Sequence, residues 1–252
     1  VHSRFKVADD YDTAAAETIG KIGIALNVLT QTEKELAAQC AIDLVQDGMI
    51  LGLGSGSTAN IAIRLLGERV RNFGLRVRGV PTSFLTAALA AEAGLDLVEL
   101  NDVTRVDLTI DGADEIAPGL ALIKGGGGAL LREKIVASAS EMLVIIADST
   151  KLVPVLGAFP LPVETVPFAR TVVEQRLIAL GLNPKLRTGR DGVYLTDQGN
   201  AIFDCHAGVI REPEALAKEL SIIPGIVEHG LFLGMAQRAF IGVSGEVREL
   251  RA

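Results

Sequence analysis

The chain has 252 residues, 49% hydrophobic and 22% charged, enough apolar material for a sizeable core and too much for wholesale disorder. Net charge is −7 and no run of Lys and Arg opposes it, which excludes the basic field usual in nucleic-acid binders, while apolar runs such as Met142 to Ala147 fall far short of the ~20 residues of a membrane span. Two cysteines, Cys40 and Cys205, make no disulfide framework, and with no stretch ordered like a secretory signal the expectation is a reducing, cytoplasmic setting.

In chain order, residues 1–30 form an Ala-rich lead in which Thr13 to Leu29 is a helical stretch weakened by Gly20 and Gly23. Thr32-Glu33-Lys34-Glu35 reads as a capping box. Leu36, Ala37, Cys40, Ala41, Leu44 and Val45 then recur at helical spacing, and Gly48 ends the helix. A short strand at Met49 to Leu53 leads through GLGSGST into a helix ending near Arg71. Leu75 to Val80 reads as a strand, Ser83 to Ala93 as a helix stopped by Gly94, and Leu95 to Leu100 as a strand. Asp107 to Ile110 is a buried strand ending in DGADE. A glycine run precedes a helix from Ala129 to about Ser138, and Met142 to Ala147 is a further buried strand. Short apolar strands alternating with helices predict a doubly wound, Rossmann-like parallel sheet.

Prolines 154, 160, 162 and 167 mark a change of register. Beyond them come a strand at Val163 to Val166, a helix at Thr171 to Leu180 and a strand pair around Leu186 and Val193 to Leu195. A strand at Ala201 to Cys205, a helix at Glu212 to Leu220 and a strand at Ile226 to Phe232 follow. The expectation is a small α+β, ferredoxin-like domain over 160–230, inserted into the Rossmann-like domain of 31–159 plus 231–252, with Arg238 to Val243 returning to the main sheet.

Three stretches have the composition of a chemical site. GLGSGST, Gly52 to Thr58, is a strand-to-helix glycine turn whose free N–H groups and the hydroxyls of Ser55, Ser57 and Thr58 suit a phosphate monoester. A Walker loop would need Lys where Gly56 stands. A dinucleotide fingerprint would need Gly at Ser57, with an acidic partner further on; Arg78 leaves an NADP phosphate open, and simple close packing is the remaining alternative. DGADE crowds Asp111, Asp114 and Glu115 after a buried strand, as hydroxyl-binding and acid–base groups, as a Mg²⁺ site or as a solvated turn. In KGGGGALLREK, Lys124 to Lys134, consecutive glycines imply close backbone approach to another group. By composition alone Glu133, between Arg132 and Lys134, reads as an exposed helix carboxylate, and Lys34 and Lys151 read as solvated. His206 and His229 stand isolated.

Taken together, TEKEL, GLGSGSTA, the PTS at Pro81 to Ser83, DLTIDGADEI, KGGGGALLREKIVA, ADSTK, FPLPVETVPFA and PGIVEHGLF resemble the ribose-5-phosphate isomerase family of the A type, in order and spacing from about Thr32 onward. Departures are minor: Ser55 stands where Thr is common, Leu131 where Thr is frequent, and a fourth glycine where Ala is usual. The resemblance implies an aldose–ketose isomerase of the non-oxidative pentose phosphate pathway, acting on a small sugar phosphate without cofactor or metal, as a homodimer or homotetramer. It assigns the general base to Glu133, and hydroxyl and ring-oxygen contacts to Asp111, Gly112, Ala113 and Asp114. The reacting end falls to Lys124 with Gly125, Gly126 and Gly127, and the phosphate to Ser55, Gly56, Ser57 and Thr58, with Lys34 and Lys151 near the ligand. The alternatives are a non-catalytic sugar-phosphate sensor, for which the sequence lacks a basic recognition helix, and an NADP-dependent oxidoreductase.

Overall fold

A computed structural model describes residues 28–252, so nearly all of the N-terminal lead, with its expected helix over Thr13 to Leu29, lies outside the described residues. In chain order, α1 (28–42) precedes β1 (Ile50–Leu53), α2 (Ser57–Phe73), β2 (Arg78–Pro81), α3 (Phe84–Glu92), β3 (Asp96–Leu97) and β4 (Leu108–Asp111). These lead to β5 (Glu115–Ala117), β6 (Ala121–Ile123), α4 (Leu130–Ser138) and β7 (Leu143–Asp148). Then come β8 (Leu161–Thr165), α5 (Arg170–Ala179), β9 (Pro184–Leu186), β10 (Thr188–Gly189), β11 (Gly192–Val193), β12 (Ala201–Cys205) and α6 (Pro213–Ser221). The chain closes with β13 (Ile226–His229), β14 (Leu231–Phe232), β15 (Arg238–Val243) and β16 (Glu246–Arg251).

The main sheet has seven strands in the order β16-β15-β7-β4-β1-β2-β3. Every neighbour pair is parallel except β15 with β16. Both faces are covered, as parallel sheets require. β7 sends Val144 and Ile146 into the core shared with α1 and α2, and Leu143, Ile145 and Ala147 into the core on the other face. Full burial of each such aliphatic side chain stabilises the fold by about 1.5–3 kcal/mol. A four-stranded antiparallel sheet, β13-β8-β12-β9, has its own apolar core with α5 and α6, and β14-β6-β5 form a third sheet.

Several expectations change. Thr32 does not cap a helix: α1 is already helical at residue 28, and the Thr32 hydroxyl donates back to the Val28 carbonyl at 3.1 Å. Glu33 is buried instead, accepting from the Ser149 N–H and hydroxyl and from the Ser244 N–H. Those three donors outweigh burial and hold its carboxyl below the usual range. Residues around Leu186 and Val193 do not pair with each other; β9 pairs with β12, and Gly192–Val193 turns back on Thr188–Gly189. The single strand expected over Ile226 to Phe232 is two, serving different sheets on either side of Gly230. Of Leu95 to Leu100 only Asp96–Leu97 is strand, and the β5–β6 hairpin and the edge strand β16 are additional.

Candidate active site

Strand order reverses direction between β1 and β4, the position at which open α/β sheets bind ligands beyond their strand carboxyl ends. There the β1–α2 turn and the DGADE segment touch. A Cβ on Gly54 would stand 2.2 Å from Asp111 Oδ1. Only glycine lets the next peptide approach, and the Ser55 N–H donates to that oxygen at 3.1 Å. Gly56 has φ 101° and ψ 176°, a conformation open to glycine alone, and α2 then begins with no side-chain cap and no acid in its first turn. Its free N–H groups and partial positive charge are left for an anion.

Lys34 is not a solvated surface lysine. Its Nζ donates to the Ser57 hydroxyl at 3.2 Å and lies 3.8 Å from Asp148. Because buried Glu33 fixes the rotation of α1, its neighbour is carried to the α2 end. Thr58 is buried in the first turn of α2. Ser55 behaves differently from its expected role: its hydroxyl turns inward to the hydroxyls of Thr82, Ser83 and Thr86 at 2.9–3.0 Å. Sequence reading gave that cluster no role; the one local signal is Ser83, which caps α3 by accepting from the Thr86 N–H. Lys151, in the turn after β7, is half-buried and makes no ion pair or hydrogen bond among the described residues.

Beside the turn lies a buried charge trio. Lys124, at the end of β6, has its Nζ 2.9 Å from Asp111 Oδ2, 3.2 Å from Glu133 Oε2 and 2.7 Å from the Gly112 carbonyl. The three side chains are 3%, 1% and 5% exposed. Glu133 is therefore not the exposed helix carboxylate that composition suggests. It stands in the first turn of α4, and Oε2 has no aligned hydrogen bond among the described residues despite its nearby lysine. Glu164 of β8 is also buried, its Oε1 accepting from the Thr196 hydroxyl and the Asn200 side-chain N–H at 2.9 Å each. The Lys124 ammonium also stands over the Phe232 ring, 5.3 Å from its centroid.

Burial, with the Asp111 charge, pushes the Glu133 carboxyl up to about 8 against the pull of Lys124. Burial raises Asp111 as well, opposed by Lys124 and by N–H donation from Gly112 and Ser55. With those donors on Asp111 and none aligned on Glu133, the proton that the two carboxylates compete for sits on Glu133. Lys124 would be depressed by burial alone, but Asp111 and Glu133 raise it above the ordinary lysine range, so it stays cationic.

The DGADE carboxylates do not crowd together as expected. Glu115 turns away to accept from the Gly157 and Phe159 N–H groups. Asp114 is half-buried; its Oδ2 accepts from the Gly126 N–H at 2.8 Å, and its Oδ1 has no hydrogen bond among the described residues. Ala113 lies between these groups on the same turn. The glycine loop closes on itself through the Gly128 N–H to the Gly125 carbonyl at 3.0 Å, leaving Gly127 exposed. Among the described residues, no group of three or more His, Cys, Asp or Glu is arranged to hold a metal ion.

Residues 78–246 match the sequence profile of the family described as ribose 5-phosphate isomerase A (phosphoriboisomerase A). The ribose-5-phosphate isomerase A of Nitrobacter hamburgensis is 52% identical over 222 residues, 85% of this chain and 95% of that protein. Ribose 5-phosphate isomerase A from Methanocaldococcus jannaschii superposes with a TM-score of 0.84 at 42% identity, over 87% of this chain and 98% of that one. A D-ribose-5-phosphate isomerase in complex with phospho-erythronic acid superposes with a TM-score of 0.87 at 36% identity, over 88% of this chain and 99% of that one. On its sequence and its fold alike, the chain belongs to the ribose 5-phosphate isomerase A family.

Proposed function

We infer that this chain interconverts D-ribose 5-phosphate and D-ribulose 5-phosphate, with Glu133 as the proton-transferring base. The observation that carries the reading is Glu133 itself: a buried carboxylate with an unoccupied oxygen, held 3.2 Å from a buried cation and raised to about 8. A base poised near working pH can both take a proton and give it back.

The phosphate belongs at the uncapped start of α2, with Ser57, Thr58 and Lys34. Fixed there, it aligns the remote reacting carbons for attack. In the open-chain aldose, Glu133 removes the proton on carbon 2 as the carbonyl oxygen on carbon 1 becomes negative. The Lys124 ammonium offsets that charge with little reorganisation, because Asp111 and the Gly112 carbonyl already fix it. A proton passes from the carbon 2 hydroxyl to the carbon 1 oxygen, and Glu133 returns its proton to carbon 1. Ring opening falls better to Asp114, with a free Oδ1, than to Asp111, whose oxygens are taken by Lys124 and two N–H groups. The phospho-erythronic acid bound by the related isomerase fits this reading, since a four-carbon acid phosphate matches the substrate's anionic tail and mimics an anionic oxygen near its other end.

Residues 160–230 are best read as a ferredoxin-like insertion in a doubly wound domain. The strand order β13-β8-β12-β9, with a helix after β8 and another after β12, supports this. We assign the contacts of a homodimer or homotetramer to this unit, and the protein to the cytoplasm. The decisive experiment incubates chelator-treated protein with ribose 5-phosphate and follows ketose formation. Conversion that survives chelation and disappears in Glu133→Gln supports the assignment; conversion unchanged in that variant overturns it.

A further inference from the structure

Arg187, just beyond β9, belongs to none of the stretches that define the site, yet its guanidinium reaches into the glycine loop. Its Nη1 donates to the Gly125 carbonyl at 3.1 Å and to the Gly126 carbonyl at 3.2 Å. Its other edge forms a two-pronged pair with Asp204 on β12, Nε to Oδ2 at 2.9 Å and Nη2 to Oδ1. The Arg187 side chain is 14% exposed. Tyr194 packs alongside, its ring 5.7 Å from the guanidinium and its hydroxyl 3.4 Å from the Gly127 carbonyl.

In a trans peptide the C=O and the following N–H point in opposite directions. Two successive carbonyls gathered on one nitrogen therefore turn the two following N–H groups the other way. One of these, on Gly126, donates to Asp114 Oδ2 at 2.8 Å. The other, on Gly127, has no partner among the described residues, and Gly127 is exposed. Successive N–H groups facing one side make a small anion-binding concavity.

We propose that Arg187, fixed by Asp204, is a positioning residue that turns the Gly126 and Gly127 N–H groups toward Asp114 and the anionic reacting end of the sugar. This rests on the isomerase reading above. Arginine is required because one planar group must serve a carboxylate on one edge and two carbonyls on the other; lysine offers charge without that fork. The loop bends away from an unrestrained glycine ensemble only while this clamp holds, so the effect belongs to the transition state rather than to phosphate binding.

The test compares Arg187→Lys, Arg187→Ala and Asp204→Asn with the parent for kcat, KM, phospho-erythronic acid affinity and inorganic phosphate affinity. Losing one oriented oxyanion donor lowers kcat about 100-fold. The expected result is a kcat loss of that order in both Arg187 variants and a smaller one in Asp204→Asn. KM and phosphate affinity should stay close to the parent's, the acid should bind more weakly in parallel with kcat, and guanidinium ion should partly rescue Arg187→Ala. Should Arg187→Ala fail to fold, Arg187→Lys, which keeps the charge and most of the packing, carries the same readings. A kcat within twofold of the parent, or a loss confined to KM, overturns the role of Arg187 alone. A parent that does not convert ribose 5-phosphate overturns the isomerase reading instead.

Discussion

The two ends of the main sheet put paired acids and bases to opposite effect. At the amino ends of β1 and β2, a cavity of about 720 Å³ is lined by Asp47, Arg69, Phe73 and Arg76. Its cations are already paired, Arg76 with Asp47 and Arg69 with Asp43, and the Arg76–Asp47 pair is 84% and 45% exposed. At the carboxyl ends, Lys124, Asp111 and Glu133 have almost no exposure and share one cation between two acids. Water solvates the first pair whatever its geometry, so its formation changes little. The trio had to be stripped of water, a penalty that ion pairing in the interior repays only in part. The open hollow at the amino ends is thus the chemically quiet place, and the buried, unevenly shared charge marks the chemistry.

Replacing the acid without a donor tests that contrast most severely. Glu133→Gln keeps shape and burial but cannot accept a carbon-bound proton. Turnover of ribose 5-phosphate should fall by about 10³-fold or more, while thermal unfolding and phosphate binding stay near those of the parent. A turnover loss matched by loss of phosphate binding would make Glu133 a structural residue.

Removing the cation is next. Lys124→Ala leaves the Asp111 carboxylate buried without its cation, and breaking a buried pair in this way costs about 3–5 kcal/mol. Denaturant unfolding at neutral pH should register that loss, and kcat should fall more than KM rises. Lowering the pH should restore part of the stability, since Glu133 already holds its proton and protonating Asp111 removes the charge left buried without a partner.

A subtler signature lies in the pH dependence of the parent. Glu133 is raised from 4.5 unfolded to about 8 folded, so between those values the folded state holds a proton that the unfolded state has lost. Stability therefore declines as pH rises through that window and levels off above about 8. Activity runs the other way: kcat/KM for the aldose should rise with pH through a limb near 8, because the free enzyme must lose that proton to act as base. Both trends should vanish from Glu133→Gln, leaving only the slopes of other groups. A stability slope that persists in the variant would assign the raised group elsewhere.

Much of this was legible before any coordinates, and for physical reasons that differ by residue. The alternation of short apolar strands and helices is local, so β1, β4, β7 and the helices between them follow from periodicity. Gly54 and Gly56 follow from the glycine turn, where a Cβ has no room or no allowed backbone angle. Glu133 was legible only through its family resemblance. Nothing local distinguishes it from an exposed acid, since its burial comes from Lys124 and Asp111, which lie earlier in the chain on other elements. The capping box misled for the same reason: the T-x-x-E spacing of Thr32 and Glu35 suggests a helix start, but the segment is held by Glu33, whose partners, Ser149 and Ser244, are far along the chain. Arg187 was silent because a guanidinium binding carbonyls leaves no pattern in the sequence around it.

The weakest expected effect closes the comparison from the other end. Arg76 and Asp47 make more direct contacts than Lys124 and Glu133 do, with side-chain and backbone donors converging on one carboxylate. Those donors hold Asp47 below the usual carboxylate range, yet the pair stands in water. Arg76→Ala should return Asp47 toward its ordinary value, a change readable by NMR titration, without a resolvable shift in the unfolding midpoint or in turnover. Raising the salt concentration should shrink even the titration difference, because exposed charges are screened over roughly 10 Å at 0.1 M. A substantial loss of stability in Arg76→Ala, or any loss of turnover, would mean that burial is not what separates the two ends of the sheet.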